Sequence, residues 1–314
     1  MRDIVIFSGS AHTEIAEEIC TNLGKPLSPT RVSRFANDCL EVQLQANCRE
    51  RDVYLIQPLV PPVQENLVEL LLMLDAARGA SAARTTVVMP HFAYARSDKK
   101  DAPRISIGAR LVADLLATAG ANRVLAMTLH SPQVHGFFSV PVDHLHALGE
   151  LAEHFRGDDL SNTVVVSPDF GNVKEASAFA RRLGTPVASG AKQRFGDDRV
   201  SITSVIGDVA DRDIIILDDE IAKGSTVVGL IERLREQKVR SIRIACTHGL
   251  FSEGALDRIT AMDDVTEIVC TNTVPRTPGQ TSPKLRVLSI APALAEAIRR
   301  IHNGESVSTL FDTP

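Results

Sequence analysis

No stretch of the 314-residue chain approaches the roughly 20 consecutive apolar residues of a membrane span, so a membrane role is not expected. The basic excess of a nucleic-acid binder is also missing: 34 lysines and arginines stand against 39 aspartates and glutamates, for a net charge of −5. Cysteines are few and scattered, at Cys20, Cys39, Cys48, Cys246 and Cys270. Odd in number and without Cys-x-x-Cys spacing, they read as free thiols in a reducing compartment, not as disulfides or a zinc site. Met1-Arg2-Asp3-Ile4-Val5-Ile6-Phe7 runs almost directly into a strand, which leaves no room for a signal peptide. A cytoplasmic protein is expected. Low-complexity segments and long disordered linkers are lacking too. What remains is 44% hydrophobic and 23% charged, the balance of a folded globular chain, and long enough for two domains.

Apolar runs and helical periods alternate along the chain. Strands are expected at Ile4–Phe7, Val42–Leu44, Asp52–Gln57, Thr85–Pro90 and Arg123–Leu129, with helices from near Ser10 or Thr13, at Glu65–Ala77 and at Ile107–Ala119. The rhythm then restarts with strands at Val164–Val166, Ile214–Leu217, Ser241–Thr247, Ile268–Cys270 and Leu285–Leu288, and an edge strand at Ile202–Ile206. Helices are expected at Lys174–Leu183, Val228–Gln237, Ala255–Ala261 and Pro292–His302. This predicts an α/β protein of two similar domains, residues 1–147 and 148–314, each a mainly parallel sheet with helices on both faces.

The densest signal is Ile214-Ile215-Ile216-Leu217-Asp218-Asp219-Glu220-Ile221-Ala222-Lys223-Gly224-Ser225-Thr226. Four apolar residues in a row read as a strand buried on both faces. Two carboxylates close it, and a turn of small and hydroxyl residues leads into a helix. Such a turn gathers backbone N–H groups and hydroxyls around a phosphate at a positive helix end. The carboxylates beside it suit ribose hydroxyls or magnesium. A plain strand-to-helix turn is the competing explanation. The acidic pair favours a ligand, because open α/β sheets bind at the strands' C-terminal ends.

Four further stretches carry chemistry, each with a bland alternative. Phe92 to Asp101 follows a strand and offers charge for a nucleotide triphosphate, or is a solvated loop. His130, at a strand's end ahead of Ser131 to Phe138, is placed as a ligand or base, or is structural. Ser167-Pro168-Asp169-Phe170-Gly171-Asn172 suits a magnesium-bound pyrophosphate, or uses Asp169 as a cap. Lys192-Gln193-Arg194, in a polar, glycine-flanked stretch, brings two cations that can close over a phosphate chain, or is an exposed basic loop.

In this order, these stretches resemble the ribose-phosphate pyrophosphokinases, or PRPP synthetases, from Phe7-Ser8-Gly9-Ser10 to Ser308. Type I phosphoribosyltransferases share only the ribose-phosphate loop. The resemblance implies two domains of type I phosphoribosyltransferase-like fold, with the extreme C-terminus packing back on the N-terminal domain. It implies magnesium-dependent transfer of the diphosphoryl group of ATP to the C1 hydroxyl of ribose 5-phosphate, giving PRPP and AMP. Carried over residue by residue, Phe35, Asn37, Arg96, Asp101 and His130 would bind ATP, and His130 and Asp169 the metal. Lys192 and Arg194 would be the catalytic cations. Asp218 and Asp219, with Ala222, Lys223, Gly224, Ser225 and Thr226, would hold ribose 5-phosphate. Arg49, Ser81, Arg104 and Ser308 match positions that bind regulatory phosphate or nucleotide. The family implies a homo-oligomer, dimer or hexamer, or assembly with an active homologue.

The chain departs from the family pattern at several positions. Cys39 replaces Glu, Ser97 and His135 replace Gln, Thr128 replaces Asp, and Asn172 and Ser225 replace Gly. Asn47 stands for a serine, and Ala222-Lys223 for Asp-Thr. These leave two alternatives: a weak or inactive regulatory partner, or a pyrophosphokinase with a changed donor or acceptor.

Overall fold

The computed structural model describes residues 3–195 and 199–310, with the backbone alone at 192–195, 199–201 and 309. Two compact units form, one on residues 3–146, 273–275 and 290–310, the other on 147–272 and 276–289.

The first unit runs β1 (Ile4–Ser8), α1 (Thr13–Leu23), β2 (Leu27–Ser28), a hairpin of β3 (Thr30–Arg34) and β4 (Leu40–Leu44), then β5 (Asp52–Ile56). It continues with α2 (Val63–Gly79), β6 (Arg84–Met89), α3 (Gly108–Ala119), β7 (Arg123–Met127) and β8 (Val142–Leu145). Its six-stranded sheet has the order β2-β1-β5-β6-β7-β8 and is parallel throughout. Helices cover it, so β5 is buried along its whole length, as its unbroken apolar run requires. Val53 and Leu55 face α2 and α3 through Leu70, Leu74 and Val112. The short or half-exposed strands β2, β3 and β8 carry no apolar run and were not anticipated from sequence.

The second unit runs α4 (Leu148–His154), β9 (Thr163–Ser167), α5 (Val173–Leu183), β10 (Val187–Phe195), β11 (Arg199–Ile206) and β12 (Asp213–Ile221). Then come α6 (Ser225–Glu236), β13 (Ser241–Gly249), α7 (Ala255–Thr260), β14 (Val265–Thr271) and β15 (Leu285–Leu288). The seven strands have the order β11-β10-β9-β12-β13-β14-β15, parallel except for the β10–β11 edge hairpin. Alternate residues of β12 serve opposite faces. Ile214 and Ile216 pack with Leu230, Ile231 and Leu234 of α6, while Ile215 and Leu217 pack with Leu151, Phe155 and Phe179. α4, seven residues and about two turns long, was missed from sequence.

The closing helix α8 (Ala291–Asn303) belongs to the first unit. Pro292 opens it, Leu294, Ile298 and Ile301 are buried, and Gly304 ends it at φ 72°. A polar knot secures it: Asp52, Arg84, Tyr54 and His302 meet beneath the helix. Arg84 also donates to the Ile301 carbonyl at 3.2 Å.

Two expectations need correction. The first helix starts at Thr13 with His12 at its cap and no side-chain capping bond; Ser10 instead donates to Glu69. Lys192-Gln193-Arg194 is not a loop. Its backbone lies in β10, with Lys192 opposite Ile202 and Arg194 opposite Val200, because β-branched residues of β11 extend the hairpin. The side chains of Lys192 and Arg194 lie outside the described residues.

Candidate functional site

In the second unit the chain steps one way from β9 to β10 and the other way from β12 to β13, so strand order reverses between β9 and β12. Ligands of open α/β sheets bind beyond the C-terminal ends of such a strand pair. The loops found there are Pro168–Asn172 and Ala222–Gly224, two of the stretches singled out from sequence. Gly190 on neighbouring β10 lets them approach: a Cβ there would stand 2.6 Å from the Pro168 carbonyl. The sequence marked Gly190 only as a flank of the Lys192-Gln193-Arg194 stretch, not for this close approach.

β12 does not end at the acidic pair but pairs with β13 as far as Ile221. Asp218 and Asp219 therefore sit on a rigid strand. Burial, the Asp219 carboxylate and Asp169 push the Asp218 carboxyl well above the usual carboxylate range. The Asp219 N–H donates to Asp218 Oδ1 at 3.0 Å. Past the strand, Gly224 adopts φ 72°, and a Cβ there would meet Ile259 at 3.1 Å and Ala255 at 3.2 Å. Glycine is needed on both counts. Gly224 caps α6 without a side chain, so the first N–H groups of Ser225 and Thr226 point out of the helix end. Val227 is buried while Ser225 is exposed, which fixes the loop against the core and leaves its donors outward. Asp169 acts as the cap considered for it. Its Oδ1 accepts from Gly171 N–H at 2.9 Å and Asn172 N–H at 3.3 Å, capping a short 3-10 turn at the mouth of the crevice.

In the first unit, Arg96 and Asp101 follow β6 and His130 follows β7. The strands are parallel, so all three lie at the sheet's C-terminal edge, and all three are exposed. Phe35 and Asn37 share the β3–β4 turn with Cys39. Asn37 Oδ1 accepts from the Cys39 N–H, and the Phe35 ring is 54% exposed, a free face for stacking. A cavity of about 430 Å³ opens beside this hairpin, but its polar groups already bind one another. There Ser10 N–H donates to Glu69 at 2.6 Å, and Arg34 holds Glu65 at 2.6 Å.

The residues expected to be regulatory divide between the two edges. Arg49 forms a bridge to Ala82, and the Glu50 N–H donates to the Ser81 carbonyl at 2.9 Å, so Arg49 and Ser81 meet ahead of β5 and β6. α8 is pinned to that same edge through Asp52 and Arg84, shortly before Ser308. Arg104, at φ 63°, lies instead in the loop after β6, at the opposite edge.

Comparison with known proteins decides the lineage. Residues 4–120 match the N-terminal domain of ribose phosphate pyrophosphokinase, and residues 198–312 match the phosphoribosyl synthetase-associated domain. A ribose-phosphate pyrophosphokinase of Deinococcus radiodurans is 48% identical over 313 residues, covering 98% of each chain. The chain belongs to the ribose-phosphate pyrophosphokinase family. A Streptomyces coelicolor relative is 76% identical over 312 residues, covering 99% of this chain and 98% of its own. The crystal structure of phosphoribosylpyrophosphate synthetase from Mycobacterium smegmatis superposes with a TM-score of 0.91 at 38% identity, over 96% of this chain and 100% of that one. The two-domain type I phosphoribosyltransferase-like fold follows from that match.

Several departures from the ribose-phosphate pyrophosphokinase pattern have local partners. Ser97 Oγ accepts from the Gly108 N–H at 2.9 Å and so anchors the start of α3. His135 Nε2 donates to the Val142 carbonyl at 3.0 Å. Asn172 Nδ2 donates to the Leu217 carbonyl at 2.9 Å, tying the loop after β9 to β12. Lys223 Nζ lies 2.8 Å from Glu253 Oε1. These four side chains each have a partner within the chain. No helix among the described residues is long and apolar enough to cross a membrane.

Proposed function

We propose that the chain transfers the β,γ-diphosphoryl group of ATP to the C1 hydroxyl of ribose 5-phosphate, releasing PRPP and AMP. The observation that carries this is the crevice between β9 and β12, where a half-buried carboxylate pair stands beside an open helix N-terminus. A sugar with adjacent hydroxyls and a terminal phosphate matches that pair of features. Asp218 and Asp219 accept hydrogen bonds from the ribose hydroxyls. Gly224, Ser225 and Thr226 receive the 5-phosphate on their N–H and hydroxyl groups, with Ala222 and Lys223 completing the loop. The C1 oxygen then attacks the β-phosphorus, the bond from that phosphorus to the α–β bridging oxygen breaks, and AMP leaves. The C1 hydroxyl loses its proton. Such a reaction depends on alignment and charge neutralisation more than on covalent catalysis. Lys192 and Arg194 are the proposed cations for the transferred group. Phe35, Asn37, Arg96, Asp101 and His130 are the proposed ATP ligands.

Magnesium is proposed as the cofactor, and the donor set in the second unit fits it. Desolvation and the neighbouring Asp219 and Asp169 carboxylates raise the proton affinity of Asp218, a repulsion that a divalent ion relieves. Among the described residues no group of three or more His, Cys, Asp or Glu forms a cage of its own. Magnesium needs none, since it keeps several waters and takes one or two carboxylates plus substrate phosphates. Asp169 is the proposed carboxylate ligand. His130 is proposed for the metal and the triphosphate at its own edge. When bound, the ion neutralises triphosphate charge and orients the phosphates. Arg49, Ser81, Arg104 and Ser308 are proposed to bind a regulatory phosphate or nucleotide, and the working form is proposed to be a cytoplasmic homo-oligomer.

The test is whether nucleotide turnover needs ribose 5-phosphate and magnesium together. AMP formed only with both supports the proposal. ADP in place of AMP, or AMP without the sugar phosphate, overturns it.

A further inference from the structure

The segment that follows β13 lies directly on the Ala222–Gly224 turn, and one side chain joins the two. Arg258, on the exposed side of α7, donates through Nη2 to the Lys223 carbonyl at 2.6 Å and through Nη1 to the Glu253 carbonyl. The Glu253 carboxylate in turn holds Lys223 Nζ at 2.8 Å. Main chain and side chain of Lys223 are thus tied to the same short segment. On one side, the N–H groups of Leu250 and Phe251 both donate to the Ile221 carbonyl at 3.0 Å. On the other, Ala255 and Ile259 of α7 fill the space where Gly224 would carry a side chain.

This segment is itself held stiff. Arg276 donates to the Gly249 carbonyl, and its guanidinium lies 5.4 Å from the centre of the Phe251 ring. Gln280 Nε2 donates to the Leu250 and Phe251 carbonyls at 2.9 and 3.2 Å. Phe251 and Glu253 sit at φ 46° and 54°, in the left-handed region that residues with a Cβ rarely adopt. Such conformations persist only where the surroundings over-determine them, and they cluster at binding sites.

We infer that Arg258 is a positioning residue for the ribose-phosphate loop. It fixes the Lys223–Gly224 peptide, so that the donors of Gly224, Ser225 and Thr226 are ordered before a phosphate arrives. The inference rests on the ribose 5-phosphate site proposed above. Arg258 does not contact the phosphate in this role, because its guanidinium is directed to two carbonyls. A planar fork can span both, whereas the single ammonium of lysine cannot. With the pin removed, the loop must be ordered at the moment of binding, which weakens affinity for ribose 5-phosphate and leaves ATP unaffected.

The test is calorimetric binding of ribose 5-phosphate to the full chain, with steady-state KM values for both substrates. The wild type binds ribose 5-phosphate. Arg258→Met and Arg258→Lys each weaken that binding and raise its KM by about tenfold, the scale of one lost charge-assisted hydrogen bond. The KM for ATP stays unchanged. If Arg258→Met does not fold, Arg258→Lys decides alone. Unchanged ribose 5-phosphate affinity in Arg258→Lys, or an equal rise in both KM values, overturns the inference. Failure of the wild type to bind ribose 5-phosphate overturns the loop's assignment, and the inference with it.

Discussion

His302 Nδ1 lies 2.8 Å from Asp52 Oδ2, although 250 residues of chain separate them. The contact lets a helix from the end of the chain complete the first unit. Asp52 is buried, and it also accepts from Arg84 Nε at 2.8 Å and from the Tyr54 hydroxyl at 3.2 Å. Burial, and next the Asp52 charge, push the Tyr54 hydroxyl up, so it remains a donor throughout the ordinary pH range.

Removing the acceptor at the centre of this knot leaves a half-buried guanidinium without its carboxylate. Asp52→Ala should destabilise the protein by about 3–5 kcal/mol, the cost of breaking a buried pair from one side. Urea unfolding checks this through a lower midpoint at unchanged slope. A shift of a few tenths of a kcal/mol would mean that the knot is not what secures α8.

The thiols should divide sharply. Cys39 is exposed on the β3–β4 turn, whereas Cys20, Cys48, Cys246 and Cys270 are buried. Burial pushes the thiols of Cys20 and Cys270 up to about 11, raises Cys48, and raises Cys246 further above its ordinary value. A thiol reagent at pH 8 should therefore label one cysteine quickly in the native protein and all five after denaturation. Cys39→Ser should remove the fast phase. Two or more fast thiols in the native protein would contradict the burial described.

Much of this architecture was legible in the sequence. Ile214 to Leu217 announced a strand buried on both faces, and Gly224-Ser225-Thr226 announced the helix end that follows it. Both depend on local pattern. β11 was legible in part, as an edge strand at Ile202–Ile206, but β10 was not, because Lys192, Gln193 and Arg194 have the composition of a loop and extend only through pairing with β11. Arg258 and Glu253 were missed for a related reason. An exposed arginine and an exposed glutamate have no sequence signature until the fold sets them on the Lys223 turn. The Asp52 knot, likewise, exists only through contact across the whole chain.

Asp218 gives a pH dependence of known sign. Its folded-state proton affinity is raised, first by burial and then by Asp219, so its contribution to stability is fully present below about pH 3.9, the unfolded value. That contribution is lost as pH rises through the higher folded value. Without divalent ions, Asp218→Asn should match the wild type in Tm near pH 4 and exceed it increasingly towards neutral pH. A difference that stays constant with pH would remove the claim that Asp218 is strained by its neighbours.

Lys192→Ala tests the proposed cation on β10. The substitution should lower kcat by several orders of magnitude while leaving the unfolding free energy within about 0.5 kcal/mol of the wild type. A variant with normal turnover would remove Lys192 from the chemistry.

The most direct measurement is phosphorus NMR of the reaction of ATP, ribose 5-phosphate and magnesium with the purified protein. The account predicts the two phosphorus signals of a new diphosphate ester on the sugar, alongside the retained 5-phosphate and one AMP per molecule formed. ATP hydrolysis or single-phosphate transfer, with no sugar diphosphate at any magnesium concentration, would contradict it.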